Sequence, residues 1–303
     1  MSLLAIVLVI LSAFVHAGWN LLSKSQRPTA AFFLVTTLTG SVLLSPFLVL
    51  SHGVVTHDIP ARVWVMLGGT GFFMAMYCVC LAAAYRSGDL SVAYPLARSS
   101  PVIVVAVVAL ILGRSDQVSK LCIFGIILVV GGCFLIPLEK FGDFRLRNYL
   151  NATCGLALLA AVGTSGYSIL DDEALRLLRT AGSPTLGNTR ITMVYACLEA
   201  LSASAWLGLF VVFRRNGRAT FRGVLKNGVR NAVIAGVAIH LGYLLVLIAL
   251  AFARNVSYIV GFRQLSIPLA ATAGILILKE KPWAPKLCGV AVMFVGLMLL
   301  ATG

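Results

Sequence analysis

Ten apolar stretches, each about twenty residues long and divided by short polar breaks, follow one another along this chain. A helix of that length, rising ~1.5 Å per residue, crosses the roughly 30 Å hydrocarbon layer of a bilayer. The stretches fall at about 2–23, 30–50, 62–85, 91–112, 118–137, 149–170, 189–213, 231–252, 256–278 and 285–302. They predict an all-α polytopic membrane protein of about ten transmembrane helices, with no stretch left for a soluble domain. Composition agrees, since 60% of the 303 residues are apolar and only 11% are charged, where a soluble domain carries roughly a quarter. Continuous apolarity without period-two alternation excludes a strand-built membrane barrel. The first stretch has no basic residue ahead of it and ends in His16-Ala-Gly-Trp-Asn20 without a cleavage pattern, so it reads as a retained helix.

The seven cysteines all fall inside predicted helices, and Cys78-Val-Cys80 has neither metal-ligand nor redox-motif spacing. They read as packing residues, with no metal and no cofactor implied. The net charge of +14 has a local source: Arg214, Arg215, Arg218, Arg222, Lys226 and Arg230 share one loop without an acidic residue. Beside a membrane such a loop points to anionic lipid as its partner rather than to nucleic acid. Phosphate loops of the Walker type, His-Glu-x-x-His helices and Gly-x-Ser-x-Gly elbows are absent from the sequence, which argues against ATP-driven transport and supplies no compact catalytic motif.

The chain also repeats itself. A shift of 166 residues aligns Leu81 with Leu247, Ser91 with Ser257, Ser100 with Ser266, Leu110-Ile111-Leu112 with Leu276-Ile277-Leu278, and Lys120-Leu121-Cys122 with Lys286-Leu287-Cys288. A shift of 148 sets Gly18-Trp19-Asn20 over Gly166-Tyr167-Ser168. Duplication predicts two halves, 1–145 and 146–303, of five helices each. An odd number of crossings sends the second copy into the membrane from the opposite side, so the halves are inverted, an architecture suited to alternating access.

The run Ser91-Val-Ala-Tyr-Pro-Leu-Ala-Arg-Ser-Ser-Pro101, followed by a long apolar helix ending Leu112-Gly113, resembles the drug/metabolite transporter superfamily, EamA type. The same pattern returns as Arg263-Gln-Leu-Ser-Ile-Pro268, then Lys279-Glu280 and Lys286-Leu-Cys-Gly289. Arg114 departs from it, standing where the family's first repeat usually carries the glutamate that the second has at Glu280. His16-Ala-Gly-Trp-Asn-Leu-Leu-Ser-Lys24 is similar to the first-helix signature of a subgroup of such permeases, some linked with phosphonate utilisation. The resemblance implies a permease in a bacterial inner membrane, with cytoplasmic termini. The positive-inside count implies the opposite, because the side of the basic loop also receives Lys24, Arg27, Lys140, Arg145 and Lys279.

Ionisable groups inside apolar helices cost several kcal/mol unless they face a cavity or a partner. Arg98 and Arg263 lie at similar depths in the fourth and ninth spans, Glu199 near the middle of the seventh, and His240 near the middle of the eighth. Arg98 aligns with Gln264, one residue from Arg263, and both arginines stand beside prolines, Pro95 and Pro101 in one case and Pro268 in the other. Paired guanidiniums match the oxygens of an anionic substrate; the alternatives are snorkelling to an interface or pairing with Glu199. Glu199 reads either as a proton-coupling carboxylate or as a fixed counter-ion, and His240 as a proton relay or a packing residue. His16, Asn20 and Lys24 recur at four-residue spacing and share a face that should point inward, while Trp19 and Lys24 suit interface anchoring. Tyr77, Tyr94, Tyr167 and Tyr243 suit a mixed pocket wall. Gly68-Gly69-Thr70-Gly71 and Gly131-Gly132 suit close helix packing.

The expected function is therefore secondary transport of a small, anionic metabolite, with Arg98, Arg263, Gln264, Tyr94, Asn20, His16, Tyr167 and Tyr243 as substrate-binding candidates and Glu199 and His240 as proton-coupling candidates. No residue is expected to be catalytic. A homodimer is compatible with this reading. The alternatives are an integral membrane enzyme acting on a lipid-linked substrate, with Glu199 and His240 as acid and base, and a membrane sensor that transports nothing.

Overall fold

The computed structural model describes residues 3–51, 59–111, 120–181, 188–251 and 262–302. Every regular element in them is a helix: α1 (Leu3–Ser25), α2 (Ala30–Val49), α3 (Ala61–Ser87), α4 (Leu90–Ile111), α5 (Lys120–Leu135), α6 (Leu146–Tyr149), α7 (Ala152–Ala181), α8 (Asn188–Phe213), α9 (Gly217–Asn227), α10 (Val229–Ala251), α11 (Ser266–Ile277) and α12 (Ala284–Thr302). Among the described residues six helices are long and apolar enough to cross a membrane, and α5, α11 and α12 carry shorter apolar stretches. Exposed Leu, Val, Ile and Phe side chains are spread over these helices, as a lipid-facing surface requires. Arg114 and Ser257 lie outside the described residues.

Three departures from the sequence reading have local causes. The sixth span was expected to stop near 170, ahead of Asp171-Asp172-Glu173, yet α7 continues to Ala181. Arg176 holds Glu173 one turn back through two hydrogen bonds of 2.9 and 2.7 Å, and Asp171 finds partners of its own, so the acidic run does not end the helix. The basic segment 214–230, expected as a loop, contains α9. Arg218, Arg222 and Lys226 repeat every four residues on its exposed side while Phe221 and Val224 are half-buried, and this amphipathic spacing favours a helix. Pro268, expected to weaken a helix, instead sits in the first turn of α11, where its missing N–H breaks no hydrogen bond.

The chain forms two compact units, each drawing on both sequence halves: residues 1–27, 80–161 and 238–303 in the first, 28–79 and 162–237 in the second. In the first, α5 and α12 meet backbone to backbone. A Cβ on Gly132 would come within 2.7 Å of the Gly289 carbonyl oxygen, so only glycine allows this approach. Ala5 and Val9 of α1 pack on Val246 and Ala249 of α10. In the second unit, Val63, Leu67, Ala174, Leu178, Ile191 and Tyr195 from α3, α7 and α8 form a buried core. Arg190 of α8 donates to Ser51 Oγ at 2.7 Å and to the Leu50 carbonyl, closing the end of α2.

Candidate functional site

The polar face predicted for the first span turns inward. Ser12, His16, Asn20 and Ser23 are all buried. Ser12 Oγ donates to the Gly242 carbonyl at 2.8 Å, fixing α1 against α10. Asn20 is fully enclosed: its Nδ2 donates to the His16 carbonyl at 2.7 Å and its Oδ1 accepts from Tyr85 Oη at 2.6 Å. That use of both amide atoms makes Asn20 a tie between α1 and α3. Lys24 donates to the Tyr85 and Gly88 carbonyls, satisfying orphan acceptors where α3 ends. Trp19 is buried and its Nε1 donates to His16 Nδ1 at 3.1 Å. Trp19, expected to anchor at headgroup level, is instead buried with its N–H given to His16, while Lys24 is half-buried at the end of α1 with its ammonium on two backbone carbonyls.

The two arginines belong to this same unit. Arg98 stands in α4 between Pro95 and Pro101, prolines that withhold amides from the helix ladder. Arg263 is the last helical residue before the turn Gln264-Leu265, which separates it from α11. The ninth span is thus interrupted at its candidate ligands, as discontinuous helices at transporter sites are. The positive charges of Arg263 and Arg98 both bear on the His16 ring within this unit. Tyr94, one turn before Arg98, donates to Ser266 Oγ at 3.0 Å and ties α4 to the start of α11. His240 and Tyr243 are half-buried on α10, either side of the glycine that faces His16. Three buried atoms here, His16 Nε2, Ser99 Oγ and Gln264 Oε1, have no hydrogen-bond partner among the described residues. A buried polar atom left this way costs about 1–3 kcal/mol, a cost that a ligand would remove.

Glu199 and Tyr167 lie in the second unit. Tyr167 packs edge-on against Tyr77, with ring centroids 6.2 Å apart. Asp171 Oδ1 accepts from Tyr195 Oη at 2.7 Å and from Thr70 Oγ1 at 3.0 Å, and its charge bears on Glu199. Sequence reasoning missed Asp171 because the span was ended one residue before it. The available signal was its position one helical turn beyond Tyr167, in register with the polar face of α7. Among the described residues no group of three or more His, Cys, Asp or Glu stands close enough to hold a metal ion.

Long apolar helices enclosing hydrogen-bonded polar groups define an integral, multi-pass membrane protein. Within that class, residues 3–138 match the EamA-like transporter family, in agreement with the EamA-type resemblance of the Ser91–Pro101 run. The matched stretch carries His16, Asn20, Tyr94 and Arg98, while Glu199, His240, Arg263 and Gln264 lie beyond it. No curated protein matches the chain.

Proposed function

We propose that this protein is a secondary transporter of a small anionic metabolite, working by alternating access between two inverted five-helix halves. The observation that supports the reading is that Arg98, Arg263 and His16 share one compact unit, where the charges of both arginines act on the buried histidine, and that the ninth span is interrupted beside Arg263. Guanidinium groups in a water-poor interior bind carboxylate or phosphate oxygens far better than they do at a wet surface. Glu199, on which the charge of Asp171 bears, is the proposed coupling carboxylate, and His240 is a proposed proton relay in the other unit. The exposed basic face of α9 is proposed to rest on anionic headgroups of a bacterial inner membrane.

A thermal-shift screen of the purified protein tests the substrate class, since a ligand that binds only the folded state raises its melting temperature. Phosphorylated and carboxylate anions should stabilise the wild type, and Arg98→Ala and Arg263→Ala should lose that response while remaining folded. Stabilisation by cations alone, unchanged in both variants, would remove the arginines from the site.

A further inference from the structure

Three side chains from other elements of the first unit grip the short turn Gly88-Asp89 between α3 and α4. Lys24, near the end of α1, donates to the Tyr85 and Gly88 carbonyls. Glu280, between α11 and α12, accepts from the Leu90 amide at 2.6 Å through Oε1 and from the Ser91 amide at 2.9 Å through Oε2. Lys286, in the first turn of α12, donates to Asp89 Oδ2 at 2.9 Å and to the Lys281 carbonyl at 3.0 Å. A carboxylate that takes two amides at a helix start satisfies donors the helix leaves unpaired and meets the positive end of its dipole. The Lys286 side chain is only 3% exposed, so its ammonium depends on Asp89, whereas Asp89, 44% exposed, can turn to water. Gly274 of α11 completes the seam. A Cβ there would stand 2.6 Å from Glu280 Oε2 and 3.3 Å from the Ser91 nitrogen, so the glycine lets α11 and the carboxylate close on α4 together.

Asp89, Leu90 and Ser91 come from the first half of the sequence, Glu280 and Lys286 from the second. A carrier that alternates parts its halves at one membrane face while they stay closed at the other. Contacts that join the halves at the end of a span are therefore contacts that one of the two states has to break. Under the shift of 166 residues the positions of Asp89 and Glu280 fall on Asn255 and Arg114, neither of which carries a carboxylate. The repeat thus does not copy the arrangement, and it favours one state over the other.

Building on the alternating-access reading, we propose that Glu280 and the Lys286–Asp89 pair form a lock that holds the two halves together at one membrane face and releases before that face opens. Ser266 is the reporter: it is fully buried, accepts from Tyr94 of α4 at 3.0 Å, and so lies in the seam between α4 and α11. Its eight-residue separation from Gly274 puts it roughly 12 Å along the helix from the lock. The test is the rate at which an impermeant maleimide, added to either face of proteoliposomes, labels Ser266→Cys in a full chain whose only other cysteine is Cys197, buried in the second unit. Glu280→Gln keeps one amide acceptor and Lys286→Met leaves a carboxylate that water reaches, so both variants are expected to fold. Each should speed labelling of the introduced thiol roughly tenfold or more, the shift in population that follows loss of a hydrogen bond to a charged group. The gain should be confined to the face on which α4 begins, with Cys197 unreactive throughout. Faster labelling from both faces, or of Cys197 as well, would show looser packing and overturn the proposal. So would labelling unchanged in both variants while amide exchange at Leu90 and Ser91 has risen, which would make Glu280 a helix cap alone, and so would failure of both variants to fold, which would make the contacts part of the scaffold. A wild type that exchanged no anion would overturn the transport reading, and labelling gained from one face in the lock variants would still support the lock.

Discussion

At the scale of single residues, the buried polar groups of the first unit divide into those that tie its helices together and those proposed to meet a ligand. Tyr85 and Asn20 belong to the first group. Tyr85→Phe leaves Asn20 Oδ1 buried without its 2.6 Å donor and should destabilise the protein by about 1–3 kcal/mol, read as a lower melting temperature in detergent with anion affinity retained. Arg98, Arg263 and His16 belong to the second group, where substitution should change affinity far more than stability. Glu199→Gln should abolish proton-driven accumulation while leaving exchange of labelled for unlabelled substrate intact; equal loss of both would make it a structural counter-ion. The sequence singled out the second group, because a charge in a twenty-residue apolar run has few uses. Closure of Asn20 by Tyr85 was not legible, since the partners lie 65 positions apart and nothing local pairs them. Trp19 was misread for a related reason: an indole near a helix end suits the interface unless a buried acceptor claims its N–H, and that acceptor is seen only when the helix packs.

At the scale of elements, two devices set the arrangement around the site. The first is the glycine contact of α5 with α12, where Gly132→Leu should destabilise by about 1–3 kcal/mol or more through overpacking against the Gly289 carbonyl. The second is Glu280, whose Oε1 and Oε2 accept from the Leu90 and Ser91 amides at 2.6 and 2.9 Å and so cap α4. Lys279 turns the chain into this position at a φ of 58°, and Lys286 holds Asp89 beside the cap at 2.9 Å. Glu280→Ala should cost about 0.5–2 kcal/mol and loosen the start of α4, visible as faster amide exchange at Leu90 and Ser91. The sequence showed Lys279-Glu280 closing a span but not the helix it closes upon. Most helix positions could be read from hydropathy, because lipid demands long apolar runs. The end of α7 and the whole of α9 could not, since both depend on amphipathic spacing and side-chain pairing rather than on mean apolarity.

At the scale of the whole molecule, the account rests on transport through a membrane by a duplicated five-helix plan. Single cysteines at Gln26, Phe141 and Trp283, introduced into a variant without native cysteines, follow the first, fifth and ninth spans and should react with an impermeant reagent from one face only. Labelling from both faces would break the span count. Two identical triplets in one register are what the sequence offers for a duplication, and the labelling pattern is its test. The most direct measurement is uptake of a labelled anion, chosen from those that stabilise the wild type, into proteoliposomes preloaded with the same unlabelled anion. The account predicts rapid, saturable exchange by the wild type and its loss in Arg98→Ala and Arg263→Ala at equal protein incorporation. Absence of exchange by the wild type for any stabilising anion, or exchange unchanged in both arginine variants, would contradict it.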